Sequence, residues 1–242
     1  MANTSDMRRF EAIRAAYRAS GFCIVDGVLT ELELTQLRSA CDLLLQEKPD
    51  DGGGKFHDIG RGDSRRFLRH RHRDFPEIAS VALGRTAGDL ASAILGSPCF
   101  LFNEHFVVKS PQTGANFAWH QDGAYVGFDH KPYLTLWFAL DDAGLANGCV
   151  FVLPRNLDEG EELTPHRWDE VGKEMIGYDG PESGIAAVVP AGSAVIFSST
   201  TLHCSGANVT DRARRAYLCQ YSPEPINDPT TGAPKHFATP LA

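Results

Sequence analysis

Residues 99–109, "CFLFNEHFVVK", mark the point at which the chain changes its period. Before them, apolar residues recur at helical spacing. From Cys99 onward they come as short β-branched and aromatic runs cut by Gly, Pro, Asp or Asn. Seven more runs follow: "NFAWHQD" (116–122), "YLTLWFAL" (133–140), "GCVFVLP" (148–154), "IAAVVP" (185–190), "SAVIFSS" (193–199), "TLHCSGA" (201–207) and "RAYLCQY" (215–221). Eight strand-like segments at close intervals predict a jelly-roll or barrel core.

Upstream, residues 6–19 place Met7, Phe10, Ile13, Ala16 and Tyr17 on one helical face, closed by Ser20-Gly21. "FCIVDGVL" (22–29) reads as a short strand. Thr30 with Glu33 three residues on forms a capping box that opens a helix to about Gln46. Residues 49–74 read as a long glycine- and charge-rich loop, and 75–95 as one helix ending at Gly96-Ser97-Pro98. The expected fold is mostly β with N-terminal helices (α+β). One domain is expected over 1–242, with 1–98 as helical support and substrate loop, 99–221 as the core and 222–242 as a C-terminal tail.

At 242 residues, with 43% hydrophobic and 22% charged residues, the composition is that of a globular chain. A net charge of −8 argues against general nucleic-acid binding, which usually needs a basic domain. No run of 18 apolar residues predicts a membrane span, and the charged N-terminus has no signal-peptide core. Six scattered cysteines without CxxC spacing point to a reducing, cytoplasmic setting.

Inside this β half, "FAWHQDGAY" (117–125) sets His120 and Asp122 two residues apart. On a strand both side chains take the same face. Two polar groups on an inward face are costly unless something pairs with them. A metal ion would do so given a third ligand, and His203, inside a later predicted strand, is the natural source. Two histidines and one carboxylate make a facial triad that leaves open positions on a non-haem Fe(II). Asn208 and Arg214 follow His203 at +5 and +11. An arginine returning toward the same cavity can clamp a carboxylate with two parallel hydrogen bonds.

With these residues in this order, the chain resembles the phytanoyl-CoA dioxygenase family of iron(II)- and 2-oxoglutarate-dependent oxygenases. The resemblance runs through "GFCIVDGVLTELELTQLRSACD" (21–42), "VVKSPQTGANFAWHQDGAY" (107–125), "LTLWFALDDAGLANGCVFVLP" (134–154) and "HCSGANVTDRARRAYLCQY" (203–221). It implies a double-stranded β-helix of the jelly-roll, cupin-like type, with His120, Asp122 and His203 on Fe(II) and O2 and 2-oxoglutarate as cosubstrates. It further implies that Arg214 holds the far carboxylate of 2-oxoglutarate, with help from the Ser205 hydroxyl. Lys109, Phe117 and Trp137 match positions near the cosubstrate; the two aromatics read equally well as core residues. Strand parity puts Thr135 with Trp137 and Arg212 with Arg214, and turns Arg215 the other way. Where many relatives read Pro-Gly-Ser-His near the mouth of the site, this chain reads "VLPRNLDEGEEL" (152–163).

The implied activity is oxidation, foremost hydroxylation, of a small organic or natural-product substrate. Epimerisation, desaturation or ring closure at the same site, and a cupin-like metal-binding sensor without turnover, are the alternatives. Six arginines fall within residues 61–73 around "HRHRD" (70–74). Their charge opposes a cation at His70, His72 and Asp74. They read as a solvated face, as an oligomer contact, or as the capture point for an anionic substrate group. Tyr125, Phe128, Tyr133 and Trp168 would instead line a pocket for a ring-bearing one. The oligomeric state is not legible.

Overall fold

In a computed structural model the protein is described over residues 4–47 and 64–241. Four helices precede most of the strands: α1 (Thr4–Ser20), α2 (Glu31–Gln46), α3 (Pro76–Ala82) and α4 (Arg85–Leu95). The strands are β1 (Phe22–Val25), β2 (Arg65–Arg69), β3 (Phe100–Lys109), β4 (Phe117–His120), β5 (Leu134–Ala139), β6 (Val150–Val152), β7 (Arg167–Asp169), β8 (Glu174–Ile176), β9 (Ile185–Ala187), β10 (Ala194–Ser198), β11 (His203–Ser205), β12 (Arg214–Ser222) and β13 (Thr239–Pro240). All eight strand-like segments form strands. The large sheet runs β1-β10-β5-β12-β3-β13, with β2 also on β3. The smaller one runs β4-β11-β6-β9, and β7-β8 is a separate hairpin. The pairing is antiparallel throughout, as a jelly roll requires.

The large sheet is covered on both faces, so its strands read as continuous apolar runs. Along β5, Leu134, Leu136 and Phe138 enter a core with the helices, while Trp137 and Ala139 enter a second core between the sheets. β12 divides in the same way: Tyr217, Cys219 and Tyr221 go toward the helices, Ala216 and Leu218 inward. The helices supply Tyr17, Leu37, Leu44, Ile78 and Leu90 to the outer core. Fully buried leucines such as Leu37 and Leu44 are worth about 1.5–3 kcal/mol each.

The capping box forms as expected: the Glu33 N–H donates to Thr30 Oγ1 at 3.2 Å and the Thr30 N–H to Glu33 Oε2 at 2.8 Å. The single helix expected over 75–95 is two helices. At Gly84 the chain turns so tightly that a Cβ would lie 1.9 Å from the Ser80 carbonyl oxygen. The apolar stretch 76–95 is thereby split into helices of 7 and 11 residues that bury Ile78, Val81, Leu90 and Ile94. Neither reaches the ~20 residues needed to cross a bilayer.

Two further expectations are corrected. Residues 49–74 are not all loop: β2 pairs along β3, because Phe67 and Leu68 each find an apolar core on opposite faces of that strand. The rest of that stretch up to residue 63, including Arg61, lies outside the described residues. The C-terminal tail is partly sheet, since β13 pairs with β3 and Phe237 packs into the outer core.

Candidate active site

The inward faces of β2, β3, β5 and β12, with β4 and β11 opposite, enclose a cavity of about 410 Å³. His120 ends β4 and pairs directly with His203, which begins β11. Asp122 is not on the strand, as parity had it; it opens a 3-10 turn over Asp122–Tyr125. The geometry survives because Gln121 between them is turned away: its side chain donates to the Glu162 and Thr200 carbonyls and accepts from Thr164. The ligand-type atoms of His120, Asp122 and His203 all lie within 4.8 Å of one another, the one such group among the described residues.

Hydrogen bonds aim these three groups. His120 Nδ1 faces the Ala118 carbonyl at 2.8 Å, and His203 Nδ1 faces the Thr201 carbonyl at 3.0 Å. A carbonyl can only accept, which assigns the proton to Nδ1 and leaves both Nε2 lone pairs free. Both Nε2 atoms lie 3.5 Å from Asp122 Oδ1. The other oxygen, Oδ2, accepts from Thr135 Oγ1 at 2.8 Å and Gln220 Nε2 at 2.9 Å. Burial alone would raise the Asp122 pKa, but the electrostatic pull of the His203 and His120 imidazoles holds it well below the usual range. Three lone pairs converging on one point, each oriented from behind, fit a divalent metal with imidazole and carboxylate donors.

At the far end of the cavity Arg214 is 1% exposed. Its Nη2 donates to the Gly148 carbonyl at 3.1 Å, while Nε and Nη1 are buried without a partner. Burial draws its pKa down to about 10, so it is still a cation at neutral pH. Unpartnered donors on a planar, buried cation lack an anionic acceptor, and a carboxylate supplies one. Ser205, Phe117 and Trp137 line the same end, with the Arg214 guanidinium 5.3 Å from the Trp137 ring. Lys109 is fully buried beside them but is not among the lining residues. Its Nζ donates to Ser205 Oγ at 2.8 Å and to the Gly206 carbonyl, so it stands behind the wall. Asn208 staples the β11–β12 turn to β3 through the Lys109, Ser110 and Arg212 carbonyls. Arg212 itself is exposed, because β12 begins only at Arg214. Arg215 turns outward, bridging Asp141 at 2.7 Å and Asp42 of α2 at 2.8 Å.

Several contributors were not picked out from the sequence. Gln220 lies on the inner face with Arg214, and counting in twos along β12 would have found it. Arg65 is fully buried, donating to Glu174 Oε2 at 3.0 Å and the Gly172 carbonyl at 2.9 Å while lying 3.9 Å over Phe117. That contact ties the β7–β8 hairpin, with Trp168, to the cavity wall, and nothing local in the sequence predicts it. The divergent segment 152–163 packs on α1, through Arg155 N–H to the Ser20 carbonyl and Arg18 to Asp158, and none of its residues lines the cavity. Tyr125, Tyr133 and Trp168 do line it; Phe128 packs with Phe102 and Ile226 instead. "HRHRD" begins where β2 ends at Arg69, and its three ligand-type residues go to separate partners. His70 bonds Asn103, His72 bonds Glu104, and Asp74 pairs with Arg71.

A jelly roll with two histidines and a carboxylate on its inner face, and a buried arginine facing the same cavity, defines a non-haem iron, 2-oxoglutarate-dependent dioxygenase. The sequence pattern of the phytanoyl-CoA dioxygenase family matches residues 17–216, and the chain belongs to that family. It is 30% identical over 177 residues to the "Probable alpha-ketoglutarate-dependent hypophosphite dioxygenase" of Stutzerimonas stutzeri, covering 66% of this chain and 59% of that protein. To the 2-aminoethylphosphonate dioxygenase of the uncultured bacterium HF130_AEPn_1 it is 25% identical over 217 residues, covering 86% and 80%. Among solved structures, EvdO2 from Micromonospora carbonacea var. aurantiaca complexed with 2-oxoglutarate is similar at 27% identity and a TM-score of 0.72, covering 92% of this chain and 96% of that one.

Proposed function

We propose that His120, Asp122 and His203 hold Fe(II), and that Arg214 with Ser205 holds the far carboxylate of 2-oxoglutarate. On this reading the protein hydroxylates a small organic substrate in the cytoplasm. Fe(II), when bound, supplies the redox chemistry by which O2 converts 2-oxoglutarate to succinate and CO2 and oxidises the substrate. The protein's own part is positioning and exclusion of water. Thr135 and Gln220 hold Asp122 so that one oxygen stays free, and the Ala118 and Thr201 carbonyls hold the two rings. Lys109 props the Ser205 hydroxyl, while Phe117 and Trp137 form the apolar walls of the cosubstrate end. The observation that carries this reading is the pair of unpartnered, buried Arg214 donors in the cavity that also contains the triad. Six free cysteines, five of them buried, support a reducing compartment.

Anaerobic Fe(II) with 2-oxoglutarate should give a weak visible charge-transfer band and one bound iron per chain. His203→Ala should abolish both. Retention of the band and the iron in that variant would exclude His203 as a ligand.

A further inference from the structure

The cavity has two cationic ends, and only one is accounted for by the cosubstrate. Arg65, Lys109 and Arg214 are paired across β2, β3 and β12 on one rung of the large sheet. Four residues along β3, the inner rung is Arg69, His105 and Leu218. At about 3.3 Å per residue the two rungs are roughly 13 Å apart. Gln220, which holds Asp122, is one inward step beyond Leu218 and pairs with Thr135. Arg69 therefore sits level with the metal triad, on its β2 side.

The other arginines of the run within the described residues are occupied. Arg65 has Glu174, Arg66 the Leu45 carbonyl, and Arg71 has Glu47 and Asp74. Arg73 is exposed and stacks on Phe237. Arg69 makes no ion pair among the described residues, and its Nε is buried without a hydrogen-bond partner. Facing it, His105 is 7% exposed, lines the cavity, and has a buried Nδ1 that is likewise unpartnered. The cavity's acids are spoken for: Asp122 by the triad and Glu174 by Arg65. Burial, then Arg69, hold the His105 pKa down to about 3. Burial, His70 and Arg69 hold neighbouring His236 at about 4. Both rings are thus neutral, and Lys235 donates to the Val126 carbonyl.

One uncompensated guanidinium and one unpartnered imidazole facing the same space lack an acceptor that carries charge. We propose that the primary substrate carries an anionic oxygen group, a carboxylate or a phosphonate, which Arg69 and His105 bind beside the metal. The assignment of this acid as substrate rests on the dioxygenase reading; the anion site itself rests on Arg69 and His105.

The test uses the full chain, anaerobic, with Fe(II) and saturating 2-oxoglutarate. It is titrated with C2–C6 carboxylates and alkylphosphonates, each paired with its uncharged ester, methyl for the carboxylates and dimethyl for the phosphonates. Perturbation of the charge-transfer band and quenching of tryptophan fluorescence are both read, since Trp137 and Trp168 line the cavity. Acids should bind and their esters should not, and Arg69→Gln should weaken the acids by roughly thirty-fold or more while 2-oxoglutarate affinity stays unchanged. Arg69→Lys should recover part of the loss, and His105→Phe should weaken the acids while keeping the preference over esters. Carboxylates binding tighter would name one source of the anion, phosphonates the other. Equal binding of acids and esters, or acid binding indifferent to Arg69→Gln, would overturn the proposal. So would loss of 2-oxoglutarate affinity in that variant, which would move Arg69 to the cosubstrate. If no band forms in the wild type but fluorescence still reports Arg69-dependent acid binding, the anion site stands and the dioxygenase reading falls.

Discussion

Replacement of Arg214 should move two quantities in opposite directions. The side chain is 1% exposed, spends one hydrogen bond on the Gly148 carbonyl, and leaves Nε and Nη1 without partners. If those donors receive the far carboxylate of 2-oxoglutarate, their loss costs about 2–5 kcal/mol of binding. At ~1.4 kcal/mol per tenfold, Arg214→Ala should weaken 2-oxoglutarate by roughly thirty-fold or more. Without 2-oxoglutarate the same guanidinium is a buried charge with no acid paired to it, Asp141 being bridged to Arg215 and offsetting the burial only in part, so Arg214→Met should raise the melting temperature of the ligand-free protein. Lysine at 214 should rescue binding only in part, because a point charge cannot reproduce the planar fork. Arg215→Ala is the control with inverted signs. It breaks the bridge to Asp141, with the half-exposed Asp42 adding less through screening, and should destabilise by about 1–3 kcal/mol while leaving 2-oxoglutarate affinity intact. Anaerobic titration of the charge-transfer band gives the affinities, and melts with and without 2-oxoglutarate give the stabilities. An unchanged affinity in Arg214→Ala would refute the clamp, and damage from Arg215→Ala instead would refute the strand register.

Gln220→Leu should lower Fe(II) affinity by about 10- to 100-fold in competition with a chelator, with Thr135→Val acting in the same direction, because each removes a donor to Asp122 Oδ2; unchanged affinity in both would mean that the carboxylate needs no orienting. Lys109 has its pKa drawn down to about 6 by burial, then by Arg214 and Arg65. Between about pH 6 and its ordinary value the unfolded chain holds that proton and the folded one does not, so this residue makes stability rise with pH across that window. Chemical denaturation of the ligand-free protein at pH 6 and pH 9 should show a steeper rise in the wild type than in Lys109→Met; parallel slopes would place an acid beside Lys109.

The eight strand segments, the capping box at Thr30 and the His120–Asp122 pair were legible in the chain, because each depends on local periodicity or short spacing; His203, 81 residues beyond Asp122, and Arg214 were reached through a later predicted strand and the family resemblance. Parity along β12 even separates inward Arg214 from outward Arg215. Sequence periodicity did not reveal the break at Gly84, where contact with Ser80 across one turn decides the path, or β2, whose apolar pair Phe67-Leu68 sits among arginines. The fate of that arginine run was decided by tertiary structure alone. Arg65, Arg69 and Arg71 are near neighbours in one run, yet a carboxylate from β8, the cavity and the end of α2 receive them respectively. Local spacing tells which side chains share a face; which charge meets them there depends on strands more than a hundred residues away, as Glu174 does for Arg65.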